Sequence, residues 1–355
     1  MLNKLKNATL LVTGGAGFMG SNFIRHLLDN EQFKGKIINL DLLTYAGNLD
    51  NLSGYDEDSR YHFVHGDIQN GELLSSIQEE HNIEIIVHFA AQTHVDKSIQ
   101  SPRTFLETNI LGTQSLLEFV RANPQIKFHL ISTDEVYGSL PKEGQFFEDS
   151  PYRPRSPYSA SKASADHLAM AYHETYDLFI TISHASNNYG LCQYPEKFIP
   201  LMILNCIEEK PLPVYGKGDN VRDWMYVQDH SVALISILEK GVNGEVYNIA
   251  SNEEISNLDM LHLLIERFCE ITSNDPAKYI KLITFVPDRP GHDFRYSLNT
   301  DKMQKQLGFK ATRSLKEGID LTINWYLNNL DWVERVKNKT YYDWVNQQYT
   351  TVDMD

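Results

Sequence analysis

Two adjacent carboxylates, Asp134 and Glu135, close the apolar run Phe128-His129-Leu130-Ile131-Ser132-Thr133, and Tyr158-Ser159-Ala160-Ser161-Lys162 follows some twenty residues on. Tyr158 and Lys162 are four apart and share one face if their segment is helical. A lysine ammonium beside a phenol favours the phenolate, which suits removal of a hydroxyl proton as a hydride leaves the same carbon. One such Tyr-Lys pair suffices for a simple alcohol oxidation. The two extra carboxylates suggest a second proton-transfer event, such as loss of water. Both signals have plain alternatives: a Tyr-x-x-x-Lys spacing arises by chance in a chain of this composition, and adjacent Asp-Glu is most often a solvated turn. Against the turn, Val136-Tyr137-Gly138 continues the apolar and aromatic run, so the carboxylates interrupt a stretch that reads as buried.

Such groups work only if the fold delivers them to one place. Short β-branched runs alternate with helical patterns across the first half, which argues for an α/β, Rossmann-type doubly wound parallel sheet. The spacing predicts strands at Thr9–Thr13, Lys36–Leu40, Tyr61–His65, Ile83–Ala90, Lys127–Ser132 and Phe179–Ser183. It predicts helices over Ser21–Leu28, with Phe23, Ile24, Leu27 and Leu28 on one face, and over Asn109–Val120, with Ile110, Leu116, Leu117 and Val120 on one face. In such sheets ligands bind beyond the carboxyl ends of the strands, where Thr133, Asp134 and Glu135 lie. After about Tyr189, Pro195, Pro200, Pro211 and Pro213 interrupt the sequence, and no regular alternation is expected to resume until Glu245–Ala250. A helix over Leu315–Leu327 then closes the fold. We expect a Rossmann domain over 1–190, with later segments at about 222–250 returning to it, and a smaller C-terminal substrate-binding lobe over 191–355.

Thr13-Gly14-Gly15-Ala16-Gly17-Phe18-Met19-Gly20 follows the first strand and opens the first helix. Glycines there let a backbone approach a pyrophosphate at a helix N-terminus, although a tight strand-to-helix turn needs glycine too. Asp41 ends the second strand, where a carboxylate accepts from ribose hydroxyls and repels a 2′-phosphate, so NAD is expected over NADP. Asp67-Ile68 would border the adenine or simply end a strand. Ala90-Ala91 would allow close approach to the cofactor, and Thr108 is either a cofactor contact or a buried structural threonine.

Composition narrows the remaining classes. The chain has 355 residues, 42% hydrophobic, enough for a sizeable core. No run approaches the roughly 20 apolar residues of a membrane helix, and Met1-Leu2-Asn3-Lys4-Leu5-Lys6 enters a strand without a signal-type segment, so a cytoplasmic protein is expected. A net charge of −15 opposes nucleic acid and anionic membrane, so an anionic ligand would require locally gathered Arg and Lys. Cys192, Cys206 and Cys269 are widely spaced with no Cys-x-x-Cys, and the 13 histidines, among them His62, His65, His88 and His94, form no His-Glu-x-x-His, so reduced thiols and no metal are expected.

The glycine spacing together with Tyr158-x-x-x-Lys162 resembles the extended short-chain dehydrogenase/reductase superfamily. Ser132-Thr133-Asp134-Glu135-Val136-Tyr137-Gly138 resembles, within it, the dTDP-glucose 4,6-dehydratase family. The likeness continues through Leu43-Thr44-Tyr45-Ala46-Gly47-Asn48-Leu49, Ser186-Asn187-Asn188-Tyr189-Gly190, Pro195-Glu196-Lys197, Tyr215-Gly216-Lys217-Gly218-Asp219, Arg222-Asp223-Trp224 and Asp288-Arg289-Pro290-Gly291-His292-Asp293, over about residues 8 to 330. It implies that Tyr158 takes the C4 hydroxyl proton of dTDP-glucose as hydride passes to NAD, while Thr133 hydrogen-bonds the oxygen that becomes a ketone. Oxidation acidifies C5, so that Glu135 removes the C5 proton and Asp134 protonates the leaving C6 hydroxyl. Return of hydride to C6 and of a proton to C5 completes a 4-keto-6-deoxy sugar of the kind used in rhamnose-type deoxysugar synthesis.

The resemblance extends the cofactor contacts to Phe18, Met19, Leu42, Leu43, Thr44 and Asn188. On the substrate side it implies Arg222 and Arg289 at the diphosphate with Lys197 nearby, and Thr93, Asn187, Phe198, Pro213, Val214, Tyr215, Asn257, Asp288 and His292 around the remainder. It also implies a homodimer packed through the Asn109–Val120 and Ser161–Tyr176 regions. This chain departs from the pattern at Gln92-Thr93, where Glu-Ser is usual, at Leu42, where Lys is common, and at His184-Ala185, where Asn-Cys is usual. None removes a catalytic group. A nucleotide-sugar 4-epimerase or decarboxylase of the same superfamily is the nearest alternative, distinguished by lacking the Asp-Glu pair. A non-catalytic NAD-sensing protein would tend to lose Tyr158 or Lys162. The nucleoside base and the downstream pathway stay open.

Overall fold

The computed structural model describes residues 2–337. Its strands are β1 (Thr9–Thr13), β2 (Lys36–Asp41), β3 (Tyr61–His65), β4 (Ile85–His88), β5 (Lys127–Thr133), β6 (Ile180–Ala185), β7 (Asn187–Tyr189), β8 (Leu212–Tyr215), β9 (Val221–Tyr226), β10 (Val246–Ile249), β11 (Glu254–Ser256) and β12 (Ile283–Val286). Seven form one sheet in the order β10-β6-β5-β4-β1-β2-β3, with every neighbouring pair parallel. The chain therefore reverses its direction of travel between β1 and β4, the switch point where the carboxyl ends of two neighbouring strands part and leave a crevice.

The helices are α1 (Phe18–Leu28), α2 (Gly71–His81), α3 (Val95–Gln100), α4 (Pro102–Phe105), α5 (Thr113–Ala122), α6 (Pro157–Tyr176), α7 (Phe198–Glu208), α8 (Val227–Lys240), α9 (Asn257–Thr272), α10 (Pro276–Ile280), α11 (Leu315–Asn328) and α12 (Leu330–Val336). Side chains alternate across the sheet, so β1 sends Leu10 and Val12 to one face and Leu11 to the other. Leu10 and Val12 join a core with Phe23, Ile24 and Leu27 of α1 and Leu234 and Ile237 of α8. Leu11 joins Ile38, Ile86, Leu116, Leu117 and Ile180 beneath α5 and α6. Each such fully buried Leu or Ile stabilises by about 1.5–3 kcal/mol, and the rigid sheet holds its carboxyl ends in register. A third core gathers Tyr189, Met202, Trp224, Leu264, Ile323 and Tyr326 among α7, α9 and α11.

Helix α6, which carries Tyr158 and Lys162, is locally well specified. Pro157 opens it with its fixed φ, Ser156 and Ser159 form a capping box, and Asp177 ends it in a left-handed conformation. The expected strands all form, within a few residues of the predicted ends. The helix expected over Asn109–Val120 is different: Leu106–Gly112 winds in wider, π-type turns before α5 becomes regular. The widening buries Asn109, whose side chain bonds both backbone groups of Gln92 and the Ser161 hydroxyl, and it leaves Leu111 exposed.

The expectation that no regular strand–helix alternation resumes between Tyr189 and Glu245 needs correcting, since regular elements form there. Here α7, β8, β9 and α8 follow one another. Pro200 sits in the first turn of α7, where backbone N–H groups have no intrahelical partner to lose. Pro213 lies in β8, which pairs with β12 alone, so its missing N–H falls on the unpaired edge. Strand β10 joins the main sheet beside β6, and α8 packs on α1. Residues 338–355 of the expected C-terminal lobe lie outside the described residues.

Candidate active site

The turn after β1 is built for close approach. Gly14 has φ +70°, and a Cβ there would lie 2.6 Å from the Ala90 backbone nitrogen at the end of β4. A Cβ on Gly20 would lie 2.5 Å from the Gly14 carbonyl. Only glycine lets β1, β4 and the N-terminus of α1 come so near one another, leaving the unpaired N–H groups of α1 directed at the crevice. Asp41 anchors the next loop, its Oδ2 accepting from Ala16 N at 2.9 Å and its Oδ1 from Leu43 N at 2.8 Å. Burial raises its pKa while those two donors hold it down. Each carboxylate oxygen keeps a second lone pair for a ribose hydroxyl. The glycine cradle and this carboxylate fit an adenine dinucleotide.

One continuous cavity runs from this turn to β5. It is lined by Gly14, Gly17, Phe18, Met19, Gly20, Asp41, Leu42, Thr44, Asp67, Ile68, Ala90, Ala91, Thr108 and Asn188 on the cofactor side. Thr133, Asp134, Glu135, Tyr158 and Lys162 line it too, with Thr93, Asn187 and Lys197 beyond them. Of the predicted cofactor contacts, Leu43 is left out: it turns through a left-handed conformation and presents its N–H to Asp41.

At the end of β5 the chain makes a single 3₁₀ turn over Asp134–Tyr137, capped by the Thr133 hydroxyl, which accepts from Glu135 N at 3.3 Å and donates to Asp134 Oδ1 at 3.2 Å. This turn places both carboxylates inside the protein. Burial pushes the Asp134 carboxyl well above the usual carboxylate range, and the neighbouring Glu135 pushes it further. Glu135 is also raised by burial, but the Arg289 and Arg222 guanidiniums oppose the shift. Both carboxyls are raised, Asp134 the more strongly, an order that suits Asp134 as the acid and Glu135 as the base. Asp134 Oδ2 has no partner among the described protein atoms.

The sequence led us to expect Lys162 together with a positively charged nicotinamide to lower the Tyr158 pKa. In the protein alone the phenol is instead raised, first by burial and then by Glu135, with the Thr133 hydroxyl acting in the other direction. Lys162 does not compensate, because its Nζ donates to the Ile131 carbonyl at 2.7 Å and burial lowers its own pKa to about 8. A phenolate at Tyr158 therefore calls for positive charge brought into the cavity with a ligand.

Nine predicted substrate residues lie outside that cavity. Phe198 stacks on Trp224, with ring centroids 6.0 Å apart. Pro213 and Val214 are buried in β8, so only their backbone is available. Tyr215 meets His292 edge to face, His292 bonds Asp288 at 2.7 Å, and Asn257 begins α9. Arg222 is buried, donates to the Val221, Phe294 and Asp293 carbonyls and lies over the Tyr296 ring. Arg289 approaches Asp96 at 3.8 Å. These residues form a second bank, joined to the first through the field of Arg222 and Arg289 on Glu135.

Sequence reasoning gave no role to Tyr45 and Glu196, which also line the cavity. Tyr45 OH donates to Glu196 Oε1 at 2.9 Å, Lys97 Nζ donates to Glu196 Oε2 at 3.0 Å, and the same ammonium sits 3.6 Å above the Tyr45 ring. The signal was a buried glutamate between Pro195 and Lys197 inside a motif already singled out. Among the described residues no group of His, Cys, Asp or Glu is arranged to hold a metal, and no helix is long and apolar enough to cross a membrane.

Comparison with known proteins adds to this geometry. A family model described as GDP-mannose 4,6 dehydratase matches residues 11–322. The dTDP-glucose 4,6-dehydratases of Shigella flexneri and Salmonella typhimurium are each 45% identical to the chain across 96% of it and 98% of their own length. Among solved structures, the dTDP-glucose 4,6-dehydratase of Bacillus anthracis in complex with NAD superposes with a TM-score of 0.85 at 44% identity, over 93% of this chain and all of that one. DesIV of Streptomyces venezuelae, a dTDP-glucose 4,6-dehydratase solved with NAD and dTDP bound, gives 0.87 at 43% identity over the same shares. A UDP-glucose 4-epimerase of Thermotoga maritima gives 0.81 at 29% identity, over 91% of this chain and 99% of that one.

Proposed function

Because the chain belongs to the dTDP-glucose 4,6-dehydratase family, we propose that it is an NAD-dependent hydro-lyase converting dTDP-glucose to dTDP-4-keto-6-deoxyglucose and water. The observation that carries the reading is the Asp134–Glu135 pair, Asp134 buried and Glu135 half-buried, at the carboxyl end of β5 in the same cavity as Tyr158 and the glycine cradle. The epimerase has a similar fold, so fold alone does not separate the two activities. The extra acid and base do.

NAD, held by the Gly14–Gly20 turn and Asp41, supplies a hydride acceptor for C4 and the donor for C6. Tyr158 takes the C4 hydroxyl proton, and Thr133 donates to the oxygen left behind. Glu135, whose upward shift Arg289 and Arg222 oppose, removes the C5 proton. Asp134, raised the more strongly by burial and by Glu135, delivers its proton to the C6 hydroxyl as it leaves. Lys197, Arg222 and Arg289 gather positive charge for a diphosphate in a chain of net charge −15. With its three described cysteines free and buried, we read a cytoplasmic enzyme. We further infer a homodimer in which the Leu106–Ala122 and Pro157–Tyr176 helices of two copies pack together, covering the exposed Leu106 and Leu111.

Incubating the purified protein with NAD and dTDP-glucose tests the activity. A 4-keto-6-deoxy product, seen as new absorbance in alkali, is the expected result. Turnover to the C4 epimer without loss of water would overturn it, and comparison of dTDP-, UDP- and CDP-glucose fixes the base.

A further inference from the structure

Behind the catalytic turn lies a buried polar group that the reaction above does not use. Asp166 stands one helical turn beyond Lys162 on α6, so Tyr158, Lys162 and Asp166 follow one another at intervals of four on one face. Its Oδ2 accepts from the Ser132 hydroxyl at 2.9 Å and faces His184 Nε2, on β6, at 3.0 Å. Tyr152 OH lies 3.0 Å from that same nitrogen. The other ring nitrogen of His184 is 2.7 Å from Tyr137 OH, which donates to Asn248 Oδ1 at 3.0 Å. Both members of the pair are sealed from solvent, their side chains 1% and 0% exposed.

We propose that Asp166, steered by His184, is a positioning residue of the dehydratase: it ties the catalytic end of β5 to α6 and supplies the counter-charge of the Lys162 ammonium. The tie is direct. Ser132 precedes Thr133, the cap of the acid–base turn, and Ile131 receives the Lys162 proton, so α6 grips two successive residues of β5. A buried ammonium without a nearby anion deprotonates readily, and Asp166 is the carboxylate whose field favours its charged form. The remaining groups facing Lys162 are its own Tyr158, the Ile131 carbonyl of β5 and the neutral His88 of β4. Those facing Asp166 are Ser132 of β5, His184 of β6, and Tyr152 and Tyr137 from the segments flanking the catalytic turn. His184 is one of this chain's departures from its family's usual pattern. Its Nε2 lies against the Asp166 carboxylate and its Nδ1 against the Tyr137 hydroxyl, so the ring is held at both nitrogens beside that carboxylate.

The proposal rests on the dehydratase reading, and its test separates the two. In full-length enzyme, competitive acetylation of Lys162 against pH, read by mass spectrometry, reports the lysine's ionisation without turnover. The midpoint should lie near 8 in the wild type and fall by about one unit or more in Asp166→Asn, with a smaller fall in His184→Leu. The alkaline limb of the kcat profile should move down with it, kcat at pH 7 dropping about tenfold while KM for dTDP-glucose stays within about threefold. A kcat loss with unmoved midpoint and limb would mean that Asp166 is merely structural and would overturn the proposal. If Asp166→Asn fails to fold, His184→Leu decides, an unchanged midpoint overturning it equally. Wild-type protein inert on dTDP-glucose would strike the functional reading and leave the labelling result standing.

Discussion

The two banks of the site are built by different means. The cofactor bank is made by backbone: Gly14, Gly17 and Gly20 sit within one strand-to-helix turn, and Asp41 spends both oxygens on neighbouring N–H groups. The bank proposed for the sugar nucleotide draws on side chains from distant segments, with Arg222 on β9, Asn257 at the start of α9 and Arg289 and His292 in the loop after β12. Between them, the turn at Asp134 and Glu135 belongs to the sheet by position and is tied to the far bank by charge, since burial raises both carboxyls while Arg222 opposes the shift on each and Arg289 that on Glu135. Damage to the first bank should therefore cost cofactor and stability together, damage to the second chiefly substrate affinity, and damage to the turn chemistry alone.

The sharpest break between the banks is at the turn. Glu135→Gln should lower kcat by about 10²–10⁴-fold with NAD still bound, and should suppress exchange of solvent deuterium into C5, followed by NMR. Asp134→Asn should slow water loss while leaving C5 exchange detectable. Exchange surviving in Glu135→Gln and vanishing in Asp134→Asn would invert the assignment. On the cofactor bank, Gly14→Ala forces a Cβ against the Ala90 backbone at a positive φ. Strain of this kind costs about 1–3 kcal/mol, to be read in urea unfolding, with bound NAD lost at the same time.

The same contrast governs what the sequence discloses. A glycine turn followed by a strand-terminal Asp41 is local, so its spacing alone announces it, and the strands are legible because each is one apolar run. Asp134 and Glu135 are legible as residues but not as acid and base, because what separates them is their burial in the fold, their effect on each other and guanidiniums more than eighty residues away in the chain. Pro200 and Pro213 misled because a proline's effect depends on which N–H is already unpaired, a fact of helix start and sheet edge that composition does not carry. The expected Tyr158–Lys162 partnership missed the Ile131 carbonyl, which takes the lysine proton from a neighbouring strand.

On the far bank, Arg289→Ala should leave NAD content unchanged and raise KM for dTDP-glucose by about 10–100-fold, the loss of a partly desolvated charge contact to phosphate, measured by initial rates. A secondary fall in kcat should accompany it, because Glu135 loses the cation that opposes its upward shift. An unchanged KM with reduced NAD content would place Arg289 on the wrong bank.

The smallest effect concerns a contact that joins two loops lining the cavity. Tyr45 comes from the loop after β2 and Glu196 from the loop before α7, yet both line the cavity and are bonded to each other, with Lys97 completing the charge balance. The loop carrying Tyr45 is pinned at its base by Asp41 and at its far end by Asn48 N on the Ala16 carbonyl. Opening the crevice therefore concentrates on the phenol–carboxylate bond. Tyr45→Phe keeps the ring under the Lys97 ammonium and removes the hydroxyl's bonds to Glu196 and Thr93, an effect of about 0.5–1.5 kcal/mol. Bound NAD should then leave about two- to twelvefold faster, read by gel filtration followed by the absorbance ratio of the protein peak. KM for dTDP-glucose at saturating NAD should stay where it was. Equal losses of cofactor and substrate affinity would show that the two banks close as a unit.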